Sequence, residues 1–367
     1  EGPMYSFEPT EEQLMLIDAV HRYAEKDLQP AARDAEEDNA LPAALIEKGW
    51  ELGVLQASIP EAYGGFGEHS TVTGVLAAEE MAWGDLAASL AVTAPAAFVL
   101  PILFAGTEEQ KETWIPPVIE AEWKPFVAAF IEPDFDFTPM EMRTLVNKGK
   151  AGYTLNGVKA YVPYADQAQA FLVFANLEDK TEAFIVPADA KGITLGEREK
   201  LLGVQALPLF RLTLKDVLVP LEARIGGEEG ADMSRSVASA KVAVAAMAVG
   251  MSRAALEYVI PYAKEREVWG TPIAQKQSIA FMLAEMAIEI EAIRMLVWEA
   301  AWKLDNDKED AAKSAYLALT GAADMAMRVT DCAVQALGGH GYIREHPVEL
   351  WMRNGRGIPV FAGLAMV

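Results

Sequence analysis

The stretch Tyr153-Thr154-Leu155-Asn156-Gly157-Val158-Lys159-Ala160-Tyr161 decides the fold class. Its alternation of side chains predicts a strand, and the Asn156-Gly157 pair within it predicts a tight turn. Just downstream lie three further apolar runs, Phe171 to Phe174, Ala183 to Val186 and Phe210 to Val219, broken up by Pro187, Gly192 and Pro220. Together they predict a small β domain over residues 126–229.

On both sides of this block the apolar period changes from strand-like to helical. Upstream, Thr10 precedes Glu11, Glu12 and Gln13, a helix cap followed by acidic first-turn residues. Leu14, Ile17, Val20 and Tyr23 then recur at helical spacing. Pro60, Gly64, Gly65 and Gly67 mark a loop before a helix carrying Val75, Leu76, Glu79, Glu80 and Met81. Downstream, Ile279, Met282, Leu283, Met286, Ile290, Ile293 and Val297 form one helical apolar stripe. Val242 to Gly250 is small and apolar nearly all round, which places it inside a bundle or a subunit interface. The expected fold is therefore α+β: an N-terminal all-α domain (1–125), the middle β domain, and a C-terminal four-helix bundle with an oligomer interface (230–367).

Composition narrows the function classes. With 367 residues the chain suits two or three domains sharing a large core. A formal net charge of −23 argues against nucleic acid, whose phosphates attract Lys and Arg, and against anionic membranes. No stretch is read as apolar for long enough to cross a bilayer. Glu1-Gly2-Pro3-Met4 carries no basic-then-apolar signal, so a cytoplasmic or organelle-matrix location is expected. Cys332 is the single cysteine, in an apolar helical pattern, and excludes an internal disulfide. His21, His69, His340 and His346 form no metal-binding spacing, so no metal is expected.

Several motifs, in order, resemble those of the acyl-CoA dehydrogenase family along almost the whole chain. Glu265-Arg266-Glu267-Val268-Trp269-Gly270 is similar to its ERxxFG element, and Gln277 to Met286 to its long third-domain helix. Gln335-Ala336-Leu337-Gly338-Gly339-His340-Gly341-Tyr342 is similar to its QxxGGxG element. Pro60 to Gly65 and the Tyr153 to Lys159 strand, with the family's NGxK pattern, agree as well. The resemblance implies FAD at a dimer interface, usually within a dimer of dimers, and a role in fatty-acid metabolism. A carboxylate would take the α-proton of an acyl-CoA while a hydride leaves for the flavin, with an electron-transferring flavoprotein as the usual acceptor.

That reaction needs a general base, because an α-proton beside a thioester is only weakly acidic. Where most of the family carries the glutamate of a YEGT-like motif, this chain has Ala362; where a minority carries it on an earlier helix, it has Ala240, followed by Lys241. No catalytic residue is therefore assigned. Glu349 is the nearest downstream carboxylate, and it reads as a residue capping or solvating a helix surface.

The family's TEPxAGSD loop reads Ile131-Glu132-Pro133-Asp134-Phe135-Asp136-Phe137-Thr138, with acids and bulky aromatics for glycines. The following strand ends Tyr161-Val162-Pro163, and Pro163 has neither the usual hydroxyl nor an N–H. Leu364 replaces the threonine after the base. By contrast, the positions that family members reach across with to a neighbour's FAD are largely kept: Arg266, Trp269, Gln277, Gln335, Gly338 and Gly339, with Val268 the one departure.

This asymmetry resembles heteromeric family members. The expectation is a subunit that lacks a base, is inactive alone, and completes the FAD site of a homologous catalytic partner. Two alternatives remain open: a homo-oligomeric acyl-CoA dehydrogenase using an unrecognised base, and a non-catalytic scaffold on the same fold.

Overall fold

A computed structural model of the chain describes residues 8–367, so the Glu1-to-Met4 stretch lies outside the described residues. Helix α1 (Glu11–Tyr23) begins at a reciprocal cap: the Thr10 hydroxyl accepts from the Gln13 amide, and Gln13 Oε1 accepts from the Thr10 amide at 2.9 Å. One π-helical turn leads into α2 (Gln29–Asp38), followed by α3 (Ala43–Trp50). Helices α4 (Thr71–Gly84), α5 (Leu86–Ala105) and α6 (Glu108–Val118) complete the first block.

The expectation that no segment is apolar enough to cross a bilayer is corrected. Leu86–Ala105, with mean hydropathy 2.1, and Ser234–Glu265, with 1.4, both meet that standard by length and composition. Their apolarity has a different cause here: 89% and 78% of the most apolar windows are buried within the fold. A helix enclosed on all sides needs no polar face.

Seven strands form one mixed sheet: β1 (Phe126–Ala129), β2 (Leu145–Gly149), β3 (Gly152–Pro163), β4 (Ala170–Leu177), β5 (Lys180–Pro187), β6 (Ile193–Arg198) and β7 (Leu209–Val219). The order is β1-β4-β2-β3-β7-β6, with β5 on the free side of β4. The turn expected at Asn156-Gly157 is absent, because β3 runs straight through it. Asn156 instead meets the β7 chain, its Oδ1 accepting from the Asp216 amide at 2.8 Å, where the β3–β7 register shifts. Gly157 is required by close approach, since a methyl group there would lie 2.5 Å from Thr144 Oγ1.

The last block is α7 (Ser234–Glu265), a two-stranded hairpin of β8 (Glu267–Val268) and β9 (Thr271–Pro272), α8 (Gln277–Asp305), α9 (Ala311–Leu337) and α10 (Val348–Gly355). Three of its four helices are long and α10 is short. Val242 to Gly250 is buried within the subunit itself. Its Gly250 lets α7 close on α4: an added methyl group would come within 1.9 Å of the Glu79 carbonyl oxygen. Arg253 then bonds Glu79 and Glu80 at 2.6 Å each, and Arg294 reaches Glu79 at 3.0 Å. In α8 the predicted stripe is buried at Met286, Ile290 and Val297, but Phe281, Ile288 and Leu296 on other faces are exposed. This helix has more apolar surface than its own subunit covers.

Candidate functional site

Helix α7 ends, α8 begins and α9 ends at one end of the bundle, because the three long helices alternate in direction. This gathers the six predicted cofactor positions into two adjacent segments. The last turn of α7 is tied to the turn after α9 by Tyr262 Oη, 2.8 Å from His340 Nδ1. Arg266, Trp269, Gln277, Gln335, Gly338 and Gly339 are all exposed. Trp269 is 92% exposed at the tip of the β8–β9 hairpin. Trp269 and Gly270 both have positive φ, 59° and 76°, as the shortest hairpin turns demand. A methyl group placed on Gly270, Gly338 or Gly339 meets no heavy atom within 4 Å. The backbone there is open to an approaching group. Arg266 has no ion-pair partner among the described residues, so its fork of donors is available to an anion.

The segments that carry the two vacant base positions meet elsewhere. Ala240 is fully buried on α7. Its neighbour Ser239 holds the segment after Ala362: Ser239 Oγ donates to the Val367 carbonyl at 2.6 Å and accepts from the Val367 amide at 3.0 Å. Leu364, Ala365, Met366 and Val367 are buried. Val367 packs so closely on α4 that a methyl group on Gly74 would lie 2.8 Å from its Cβ. Lys241, beside Ala240, stands over the Tyr316 ring at 5.4 Å, and burial lowers its pKa. Glu349 is bound at 2.5 Å by Arg33 and at 2.8 Å by Arg353. Burial would raise its carboxyl, but these two guanidinium groups hold it below the usual range. A carboxylate so paired is a poor proton acceptor.

The segment that would face a bound flavin on this chain's own side is partly packed and partly exposed: Glu132 is buried, whereas Pro133, Phe135, Asp136 and Thr138 are exposed. Gly363, at φ 107°, lies against Phe130, where an added methyl group would come within 2.3 Å of the ring. Phe137 sets its ring edge-on to Phe130 with centroids 6.1 Å apart. Arg143 clamps Asp134 at 2.6 Å and Asp136 at 2.7 Å, fixing two acids in the loop where the family's glycines allow close backbone approach. Pro163 is buried in β3 opposite Leu209 and offers no donor. Acids, aromatics and a proline thus stand here in place of the glycines and hydroxyl expected beside a flavin, whereas the glycine backbone at the open end of the bundle is unobstructed.

The sequence gives no sign of the device that holds this loop. Lys159 Nζ donates to Glu132 Oε1 at 2.8 Å and to the Phe130 carbonyl at 3.3 Å. Glu132 also accepts from the amides of Arg143 at 2.6 Å and Thr144 at 2.8 Å. Glu132 and Lys159 each lie in a recognisable motif, but nothing in their spacing announces the pairing.

Comparison with known proteins agrees with this architecture. Sequence profiles of the acyl-CoA dehydrogenase N-terminal, middle and C-terminal domains match residues 10–122, 129–217 and 230–365. The short-chain specific acyl-CoA dehydrogenase of Megasphaera elsdenii is 33% identical, covering 97% of this chain and 96% of its own. The butyryl-CoA dehydrogenase structure from the same organism superposes with a TM-score of 0.89 at 32% identity, over 98% of this chain and 96% of that one. A solved chain described with the electron transferring flavoprotein of Acidaminococcus fermentans gives 0.88 at 31% identity, with the same coverage. With all three of its domains matched and its fold shared, this chain belongs to the acyl-CoA dehydrogenase family.

Proposed function

We propose that this chain is the cofactor-site-completing subunit of a heteromeric acyl-CoA dehydrogenase, with no base of its own. One observation carries the reading: the contacts a subunit would offer a neighbour's FAD are exposed and unobstructed, while its own flavin-facing segment has acids, aromatics and a proline in place of glycines and a hydroxyl. A chain losing function uniformly would show no such division. Arg266 would meet the pyrophosphate with a permanent charge and paired donors. The N-terminus of α8 at Gln277 adds its unsatisfied amides and helix dipole. Gly338 and Gly339 would let the backbone approach the dinucleotide. FAD bound in the partner's site supplies the hydride acceptor, and the partner supplies the base. Short-chain acyl-CoA substrates are supported by the Megasphaera relatives, and an electron-transferring flavoprotein as acceptor by the Acidaminococcus one.

The test is co-expression with a homologous chain that carries the glutamate, followed by flavin quantification from the visible spectrum. The expected complex holds one FAD for every two subunits, and this chain purified alone is colourless. A yellow, singly expressed chain with one FAD per subunit that bleaches on adding butyryl-CoA overturns the proposal.

A further inference from the structure

After α9 the chain reads Gly338-Gly339-His340-Gly341, so three residues in four bring no side chain with which to fasten the turn. Gly338 has φ 60°, and neither it nor Gly339 is covered by the rest of the chain. A free glycine backbone samples many conformations and loses them on meeting a ligand, unless something holds it beforehand. Gly341 serves packing instead: an added methyl group would lie 2.3 Å from the Val334 carbonyl oxygen. That leaves His340 as the side chain able to anchor the turn.

Tyr262, in the last turn of α7, brackets the glycine pair. Its hydroxyl lies 2.8 Å from His340 Nδ1, just after the pair, and reaches the Leu337 carbonyl, just before it, at 3.5 Å. One helical turn earlier, Tyr258 Oη lies 2.7 Å from His346 Nδ1. A phenolic hydroxyl both donates and accepts, so each bond forms whichever ring nitrogen carries the proton.

The same residues build a ladder of rings. Edge-on contacts run from Trp351 of α10 to Tyr258 at 5.8 Å between centroids, and from Tyr258 to His346 at 6.0 Å. They continue from His346 to Tyr262 at 5.8 Å and from Tyr262 to His340 at 5.9 Å. The two imidazoles lie nearly parallel, 5.4 Å apart. Arg33 of α2 adds a hydrogen bond to the His346 carbonyl at 3.1 Å. Tyr342, Ile343, Arg344 and Glu345, between the two histidines, are exposed. The loop is thus held at its histidines and open between them.

We infer that Tyr258, Tyr262, His340 and His346 are positioning residues that set the Gly338–Gly339 backbone in advance for the dinucleotide it meets. This rests on the proposal that the chain completes a neighbour's FAD site. None of the four has to touch the cofactor, because they act through the turn. Holding the turn beforehand removes an ordering cost from binding, so the effect belongs to FAD affinity rather than to subunit assembly.

The experiment compares the parent with Tyr262→Phe, His340→Ala and His340→Asn. Phenylalanine keeps the ring and loses the hydroxyl; asparagine loses the ring and keeps hydrogen-bonding atoms close to the place of Nδ1. Hydrogen–deuterium exchange of the lone chain reads the turn itself. Exchange over residues 337–343 should quicken about tenfold in Tyr262→Phe and His340→Ala, and less in His340→Asn. In the complex with the glutamate-bearing homologue, FAD should dissociate about tenfold more readily for the first two variants. Sedimentation of that complex should not change. Exchange unmoved by Tyr262→Phe overturns the inference, as does parental FAD affinity in a variant whose turn exchanges faster. Tyr262→Phe decides alone should His340→Ala fail to fold. A parent complex that takes up no FAD instead overturns the proposed function and the ligand named here, an outcome distinct from a flavin-loaded complex indifferent to these variants.

Discussion

Lys159 Nζ lies 2.8 Å from Glu132 Oε1, and both side chains are sealed from solvent. Burial pushes the Lys159 ammonium down, against the pull of Glu132. Burial also pushes the Glu132 carboxyl up, but Lys159 and the hydrogen bonds from Thr144 and Arg143 together outweigh it and hold that carboxyl below its ordinary value. The pair fastens the loop after β1 to the middle of β3. Lys159→Met leaves a buried carboxylate without its cation, which costs about 3–5 kcal/mol. The double variant with Glu132→Gln should recover much of that loss, because no charge is then stranded. Urea unfolding of the single and double variants checks this; a single-variant loss below about 1 kcal/mol would mean that the pair contributes no more than a surface one.

Asp85 gives a pH signature. Its side chain caps α5 by accepting from the Ala88 amide at 2.7 Å. Burial, helped by Glu36, lifts its carboxyl to about 7 against the pull of the Ala88 and Ala87 amides. The folded state therefore holds a proton that the unfolded state releases near pH 4, so this group's contribution to stability falls between about pH 4 and 7 and is level above. A difference of that size corresponds to roughly 4 kcal/mol. Asp85→Asn keeps a capping oxygen and should flatten the slope of unfolding free energy over that window. An unchanged slope would show that Asp85 is not the group responsible.

Trp269 should separate folding from association. Its left-handed backbone costs a non-glycine residue roughly 1–2 kcal/mol, and its exposed ring receives almost no cover from its own chain. Trp269→Gly is expected to leave the thermal midpoint of the lone chain unchanged or slightly raised. The same change should weaken assembly with the co-expressed partner by at least about tenfold. Assembly at parental affinity, measured by sedimentation, would exclude the ring as an anchor.

Restoring the carboxylate should not restore the enzyme. Ala362→Glu places a base at the family position, but the adjoining segment still packs Gly363 against Phe130 and Leu364 to Val367 into the core. The variant alone is expected to remain colourless and to reduce no acceptor on adding butyryl-CoA. Flavin retention with acyl-CoA-dependent bleaching would show that the missing glutamate was the sole defect.

The order of helical, β and helical blocks was legible because apolar periodicity is a local property. The Thr10 cap shows this well, since cap, acids and Gln13 all lie within one turn. Asn156-Gly157 misled for the complementary reason. An isolated pair of this type favours a turn, but Asp216 on β7 satisfies Asn156 from sixty residues away and keeps the strand extended. The long apolar helices α5 and α7 were underestimated because the other elements that enclose them are far off in the chain.

By itself the sequence determined what each position can do. Alanine at 240 and 362 cannot accept a proton, proline at 163 cannot donate a hydrogen bond, and arginine at 266 carries a charge near neutral pH. Only the tertiary structure decided which positions meet. It brought Val367 to Ser239, buried Glu132 against Lys159, and left Arg266, Trp269 and Gly339 facing outward at one end of the bundle. Chemical capacity resides in single side chains, whereas proximity and burial depend on packing between segments that no local pattern relates.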